Sequence, residues 1–165
     1  MVGSGSNRQL SPNRDPAPEQ IIDTQSKFEM STTHDTRGPR ENLQARLVAF
    51  NAKDTESLCS LYDPESLYAN AAAPLARGIS AIRPWYENAF QMVEGTLLFK
   101  EESFFQGEDM ALLVGKYYFK PPNESDAKGD TGRVALVYRW TEDDRWLLLF
   151  DMDNTPPDAV IEDFM

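Results

Sequence analysis

The stretch RLVAFNAKDTESLCSLYDPESLYANAAAPLARGISAIRPWYENAF, residues 46–90, decides the fold of this chain. Apolar residues at helical spacing predict a first helix that begins near Pro39 and runs into this stretch. Asp54 is a favourable N-cap for a second helix, which we expect to end before Pro64 because the residue before a proline avoids helical geometry. Gly78 then allows the chain to turn into a third helix.

Five strands are predicted beside these helices. A short strand at 66–70 lies between the second and third helices, and four long strands follow at 96–106, 109–120, 131–141 and 145–154. Short polar turns join neighbouring strands, so the long strands form an antiparallel meander. Helices followed by one long sheet indicate an α+β domain, with three N-terminal helices packed on a curved, mainly antiparallel sheet.

Both faces of the predicted sheet are apolar. With period-two alternation, one face of the last strand carries Trp146, Leu148, Phe150 and Met152, and the other carries Leu147, Leu149, Asp151 and Asp153. An antiparallel sheet with one face in water would alternate apolar and polar residues. We therefore expect one face to contact the helices and the other to contact a second copy of the chain. The residues expected in this homodimer contact are Leu112, Val114, Tyr118, Val137, Trp146, Leu148 and Phe150.

Charge and composition exclude several classes of partner. The 165 residues carry a formal net charge of −11 at pH 7, which is unsuited to nucleic acid or to anionic membranes because both require clustered Lys and Arg. The single histidine, His34, lies in the polar N-terminal segment, so neither a histidine-rich zinc site nor a Ser-His-Asp triad is expected. Cys59 is the only cysteine and belongs to the predicted core. We find no metal-ligand spacing and no glycine-rich phosphate loop, and we expect no metal and no cofactor.

The chain divides into three segments by composition. Residues 1–38 predict a disordered or loosely docked tail, 39–156 form the α+β domain, and 157–165 form a C-terminal tail. Met1 and Met30 are both compatible with translation starts. The N-terminal segment lacks the apolar core of a secretory signal, and no apolar run is long enough to cross a membrane, so a cytoplasmic location is expected.

Three segments carry a family resemblance: FNAKDTESLCSLY at 50–62, ARGISAIRPWYENAF at 76–90 and RWTEDDRWLLLFDMDN at 139–154. With them the chain, over about residues 40–156, resembles the nuclear-transport-factor-2-like superfamily in its polyketide-cyclase (SnoaL-like) and ketosteroid-isomerase-like branch. The resemblance implies a cone-shaped fold, or α+β barrel, with a pocket between the helices and the sheet. It also implies dimers formed sheet to sheet, in agreement with the two apolar faces.

The residues depart from the pattern of the ketosteroid isomerases. The position of the family's aspartate base is matched by Asn70, which cannot take a proton at neutral pH. Arg46 stands where the family has its oxyanion tyrosine, and Leu136 stands near its protonated acid. Only the helix tyrosine, Tyr86, is retained. Steroid isomerisation is therefore excluded.

A subgroup similar to limonene-epoxide hydrolases gives a better partial match. In that subgroup a Tyr and an Asn two residues apart hold a water molecule, and an Asp on the last strand is its base. Tyr68 and Asn70 have this spacing, and Asp151 lies on the pocket-facing side of the last strand. The subgroup also needs an Arg and a second Asp on the sheet, which the inward positions Leu113 and Leu136 do not supply.

The candidate site follows from these matches. Asp151, Tyr68 and Asn70 are the candidate catalytic residues. The candidate ligand-binding residues, which would enclose a small apolar or aromatic molecule, are Tyr86, Tyr117, Tyr138, Trp140, Leu113, Leu136, Leu149 and Arg46.

Two functions remain open. The first is an enzyme of lyase, isomerase or hydrolase type in which Asp151 is the acid or base, because an aspartate in an apolar pocket has a raised pKa. The second is a non-catalytic ligand-binding or association module on the same fold. An Asp151 buried in a closed pocket with polar partners favours the enzyme, and an Asp151 exposed at the rim favours the module. A structural Asp151 paired with Arg46 predicts that Asp151→Asn destabilises the fold.

Overall fold

Three helices lie over one face of a six-stranded sheet in a computed structural model that describes residues 37–123 and 129–165. The helices are α1 (Pro39–Asn51), α2 (Thr55–Cys59) and α3 (Ile79–Met92). The strands are β1 (Tyr62–Ala69), β2 (Ala76–Arg77), β3 (Thr96–Gln106), β4 (Met110–Lys120), β5 (Asp130–Trp140) and β6 (Trp146–Asn154), and a short 3-10 helix spans Ile161–Phe164. The tail predicted for residues 1–38 lies, up to residue 36, outside the described residues.

The sheet has the strand order β2-β1-β6-β5-β4-β3. Strands β3 to β6 form the predicted antiparallel meander, whereas β1 pairs in parallel with β6 and antiparallel with β2. The two outermost strands, β2 and β3, do not pair with each other, so the sheet is open and not a closed barrel. The α+β class, with three N-terminal helices on a mainly antiparallel sheet, is confirmed.

The first strand is longer than its sequence predicts. Helix α2 ends at Cys59, and Tyr62 already belongs to β1 and not to the helix. Pro64 lies inside the strand. A proline is tolerated there because β2 pairs with β1 only at Leu67 and Tyr68, which leaves β1 without a neighbour on that side at Pro64.

A β-bulge in β6 changes which residues face the helices. The register shifts between Val137 and Tyr138, which pair with Phe150 and Leu148, so Leu149 is the extra residue. Leu148 is therefore fully buried in the core beside the helices, and Trp146 belongs to the same core. The prediction that Leu148 and Trp146 lie on the outer, dimer-forming face was wrong. A bulge shifts the alternation of faces by one residue, so the residues before it face the opposite side from the one predicted.

The last residues of the chain pack against the outer face of the sheet. Lys116 Nζ donates to the Asp158 carbonyl and to the Asp163 carboxylate, each at 2.8 Å. The ring of Phe164 lies 5.7 Å from that of Tyr118. Residues 157–165 are thus a docked segment, and Tyr118, which we expected at a dimer contact, is covered by the chain's own Phe164.

We expect removal of residues 158–165 to lower the melting temperature. The truncated chain would leave Lys116 and Arg133 without their partners Asp158 and Asp163, and would expose Tyr118. Thermal unfolding followed by circular dichroism measures this loss. An unchanged melting temperature would show that the docked segment contributes nothing to stability.

Candidate functional site

A pocket with a volume of about 210 Å³ opens between helices α1 and α3 and the inward face of the sheet. Its walls are mostly apolar: Leu43, Leu47, Phe50, Trp85, Ala89, Val93, Leu97, Phe99, Phe119 and Val134. Its polar lining residues are Arg46, Tyr68, Asn70, Tyr86, Tyr117, Asp130, Asp151 and Asp153. A mostly apolar cavity that also has polar lining groups is typical of a small-molecule site.

Helix α1 is held firmly over the sheet, which fixes the position of Arg46. The buried amide of Asn42 donates to the carbonyls of Leu61, at 3.3 Å, and Trp146, at 3.0 Å. At the other end of the helix, Asn51 and the backbone of Leu97 exchange two hydrogen bonds, at 2.8 and 3.1 Å. Arg46 lies between these two anchors and points into the pocket.

Asp151 is the centre of a buried polar cluster. Its Oδ2 accepts hydrogen bonds from Arg46 Nη2 and, at 2.8 Å, from the hydroxyl of Tyr62. Because the Tyr62 proton is directed to Asp151, the hydroxyl of Tyr86 donates to Tyr62, at 2.7 Å. Arg46 also donates to both tyrosine oxygens, at 3.2 Å each. The cluster orients the carboxylate of Asp151 from one side.

Burial and the ion pair act in opposite directions on Asp151. Burial raises its pKa above the usual range of an aspartate, and the neighbouring Arg46 and the hydrogen bond from Tyr62 oppose this rise. Burial would lower the pKa of Arg46, but Asp151, Tyr62 and Tyr86 outweigh it and hold that pKa well above normal. Arg46 is therefore the permanent cation of the cluster.

The second oxygen of Asp151 has no protein partner. Asp151 Oδ1 and the Tyr138 hydroxyl are both buried without a hydrogen bond among the described residues. A buried unpaired acceptor costs about 1–3 kcal/mol, and more when it is charged. Asp151 also lines the pocket, so a ligand there lies next to this carboxylate.

Tyr68 and Asn70 converge on Asp153 and not on Asp151. The Asp153 carboxylate accepts from the Tyr68 hydroxyl at 2.9 Å, from Asn70 Nδ2 at 3.1 Å and from the backbone N–H of Ala71 at 3.3 Å. Asn70 Nδ2 also lies 3.1 Å from the Tyr68 oxygen. Asp153 was not among the candidate site residues. Period-two alternation puts Asp151 and Asp153 on one face and was the available signal.

The other candidate residues fall into three groups. Arg46, Tyr86 and Tyr117 line the pocket as expected. Leu113, Leu136 and Tyr138 are fully buried in the core and do not line it.

The third group is two residues that lie outside both the pocket and the buried core, contrary to expectation. Trp140 is 38% exposed at the end of β5 and packs on Trp146, with ring centroids 5.6 Å apart. Leu149 is the bulge residue of β6 and is not part of the pocket lining. Tyr62 was missed because its apolar neighbours Leu58 and Leu61 extended the predicted second helix across it.

The described part of the chain shows neither a metal centre nor a membrane span. Residues 37–123 and 129–165 contain no group of three or more His, Cys, Asp or Glu side chains arranged to hold a metal ion. In the same ranges, no helix is long and apolar enough to cross a membrane.

Helices over an open mixed sheet, with an apolar pocket that ends in a buried polar cluster, define a SnoaL-like domain of the nuclear-transport-factor-2-like superfamily. The family model described as SnoaL-like domain matches residues 43–149, and the chain belongs to this family. The resemblance found in the sequence is thereby confirmed.

Several solved structures share the fold. A putative calcium/calmodulin-dependent protein kinase type II association domain from Thiobacillus denitrificans has a TM-score of 0.65 and 15% identity, covering 72% of this chain and 94% of that one. A nuclear-transport-factor-2-like protein of unknown function from Pseudomonas putida KT2440 has a TM-score of 0.62 and 20% identity, covering 72% and 84%. A ketosteroid isomerase-like protein from Erwinia carotovora atroseptica has a TM-score of 0.59 and 16% identity, covering 69% and 90%. At these identities the similarity establishes the fold alone. No curated protein matches the sequence.

Proposed function

We propose that the pocket binds a small, largely apolar molecule that carries a hydrogen-bond donor, and that Asp151 accepts this hydrogen bond. The observation that carries the proposal is that Asp151, whose Oδ1 is buried without a hydrogen-bond partner, lines a mostly apolar cavity. Its Oδ2 is already held by Arg46 and Tyr62, so the carboxylate is oriented before a ligand arrives. A ligand that satisfies Oδ1 removes the cost of the unpaired acceptor.

The size of the cavity limits the ligand. An apolar cavity of about 150 Å³ is large enough for benzene, and this pocket has about 210 Å³. A single ring with one short polar substituent fits this volume. Aromatic walls such as Phe50, Phe99 and Phe119 suit the edge or face of such a ring.

The same geometry supports acid–base chemistry of a lyase, isomerase or hydrolase. Asp151 would take a proton from the ligand, or from a water molecule, through Oδ1, while Arg46 and Tyr62 fix the carboxylate through Oδ2. Tyr68 and Asn70, held by Asp153, would orient the ligand or the water. A raised pKa brings an aspartate closer to neutral pH, which favours this role.

We expect benzyl alcohol to bind about 2–10-fold more tightly than benzyl methyl ether, because the ether lacks the donor that Oδ1 needs. Calorimetry and protein NMR titrations measure both affinities. Equal affinities would contradict the role of Asp151 Oδ1.

Two variants of α3 test whether binding occurs in this pocket. Ala89→Phe places a ring in the cavity and should abolish binding of both probes. Met92→Phe is the matched control, since Met92 is on the same helix but 79% exposed. Unchanged binding by Ala89→Phe would place the ligand elsewhere.

A second candidate function, association with another copy of the chain, is favoured by the outer face of the sheet. The register aligns one apolar row across five strands: Phe105, Leu112, Val137, Phe150 and Leu67. Phe105 is 65% exposed and Met152, in the neighbouring row, 41%. Exposed apolar patches of this kind mark interaction sites. We propose that the chain forms a homodimer through this patch. A homodimer and a cytoplasmic location are both expectations from the sequence.

A further inference from the structure

The charges around the pocket are unbalanced. Among the described residues, Arg46 is the only cation in its lining, and its guanidinium is already paired with Asp151. Asp130 and Asp153 remain. Asp153 is bonded by neutral donors from Tyr68, Asn70 and the backbone of Ala71. Neither Asp130 nor Asp153 has an ion-pair partner within the described ranges, so the pocket carries excess negative charge.

The sheet register places the two carboxylates around one tyrosine. Tyr117 pairs with Gly132, while Asp130 and Val134 lie two residues to either side on β5, and Val134 pairs with Asp153. All of these positions face the pocket, because residues two apart on a strand share a face. A Cβ at Gly132 would lie 2.5 Å from the Tyr117 hydroxyl oxygen, so this glycine makes room for the tyrosine.

The pKa of Tyr117 reflects its burial and the negative charge of the nearby carboxylates. Burial raises its pKa, and the nearby charges of Asp153, Asp130 and Asp151 raise it further, to about 12. The three carboxylates disfavour a phenolate and would favour a cation at the same place, whereas burial disfavours either charge. The net charge of −11 acts in the same direction, because clefts focus the field of the whole protein.

We propose that the pocket selects small aromatic or apolar amines in their protonated form over carboxylic acids of the same size. The proposal deepens the ligand-binding function proposed above and rests on it. An ammonium group brings the donor that Asp151 Oδ1 lacks and the positive charge that Asp130 and Asp153 lack. Phe99, Phe119 and Tyr117 also line the pocket, and aromatic rings attract a cation placed over them.

Three probes of one size test the selection: benzylamine, benzyl alcohol and benzoate, titrated at pH 7 into the full chain. We expect benzylamine to bind at least about threefold more tightly than benzyl alcohol, and benzoate to bind most weakly. Raising the salt concentration should reduce the advantage of the amine, since Asp130 is exposed to solvent.

Asp130→Asn removes one of the carboxylates without touching the buried cluster. It should reduce the ratio of amine to alcohol affinity by about threefold. Glu108→Gln is the matched control, because it removes the same charge in the β3–β4 turn, away from the pocket lining, and should leave the ratio unchanged.

The outcomes separate this proposal from the one on which it rests. If benzyl alcohol binds but benzylamine binds no more tightly, or benzoate binds best, amine selection is overturned and the ligand pocket stands. An equal reduction of the ratio of amine to alcohol affinity in Asp130→Asn and Glu108→Gln would also overturn amine selection. Such a result would show an effect of net charge alone. If none of the three probes binds, both proposals fail.

Discussion

Asp151→Asn is expected to destabilise the fold by about 3–5 kcal/mol, because it leaves a buried guanidinium without its counter-ion. Arg46 is 11% exposed and Asp151 is 1% exposed, so the ion pair is largely shielded from bulk water. The substituted amide keeps the shape of the aspartate, which limits the effect to charge and hydrogen bonding. Denaturant unfolding followed by circular dichroism measures the loss.

A double-variant cycle assigns this loss to the ion pair. Arg46→Met removes the cation, and the double variant Arg46→Met/Asp151→Asn should be less destabilised than the sum of the two single variants. Glu101→Gln is the control, because it breaks an exposed ion pair, with Arg40, between the same helix and the sheet, and should change stability little. Strict additivity in the cycle would show that Arg46 and Asp151 do not depend on each other.

The pH dependence of Arg46→Met has a definite sign. Removing the guanidinium removes the main charge that opposes the burial-induced rise in the Asp151 pKa. An acid whose pKa is higher in the folded state than in the unfolded state loses stability as pH rises through that interval. Arg46→Met should therefore be closer to wild type at pH 4 than at pH 7. The opposite trend would contradict a buried, ionised Asp151.

The ion pair also changes what a melting curve can decide about function. A structural Asp151 predicts that the asparagine variant is destabilised, and so does a catalytic Asp151 that depends on Arg46 for orientation. Stability therefore no longer separates the enzyme from the binding module. The deciding measurements are ligand affinity and turnover, taken at a temperature at which the variant is folded.

The sequence predicted the parts of the fold that depend on periodicity. The four long strands lie within one residue of their predicted ends, because apolar alternation and polar turns define them locally. The parallel pairing of β1 with β6 was not predicted, because it joins residues about 80 positions apart. The early start of β1 at Tyr62 was missed for a similar reason, since its pairing with Leu148 is a long-range contact.

The candidate site was predicted in part. Tyr117 on β4 was predicted because the strand alternates regularly, and Tyr86 on α3 was predicted from helical spacing. Both residues line the pocket. The partners of the carboxylates were not predictable. Asp151 bonds to Tyr62 on β1 and to Arg46 on α1, and both contacts depend on how the helix crosses the sheet.

The bulge at Leu149 is the clearest example of a feature that the sequence pattern does not predict. One extra residue exchanges the two faces of the strand on one side of the bulge. Before the bulge Leu148 faces the core, and after it Phe150 faces outward beside Val137 and Leu67. The stretch WLLLFDMDN has no glycine or proline that would mark the bulge, so an alternating pattern was assigned to the whole strand.

The two neighbouring apolar residues should therefore respond in opposite ways to the same charge. Leu148→Asp places a carboxylate among fully buried core residues and should prevent folding, because a buried unpaired charge costs several kcal/mol. Phe150→Asp changes the half-buried outer row and should leave the domain folded but monomeric. Val48→Asp, at a position on α1 that is 70% exposed, is the control and should affect neither property.

Sedimentation and circular dichroism at micromolar concentration decide both points. A wild-type chain that is already monomeric would exclude the homodimer while leaving the contrast in folding between Leu148→Asp and Phe150→Asp intact. A folded, monomeric Leu148→Asp would instead place Leu148 on the outer face and contradict the bulge. Asp151 would still face the pocket in that case, because strict alternation also places it on the face opposite Leu148.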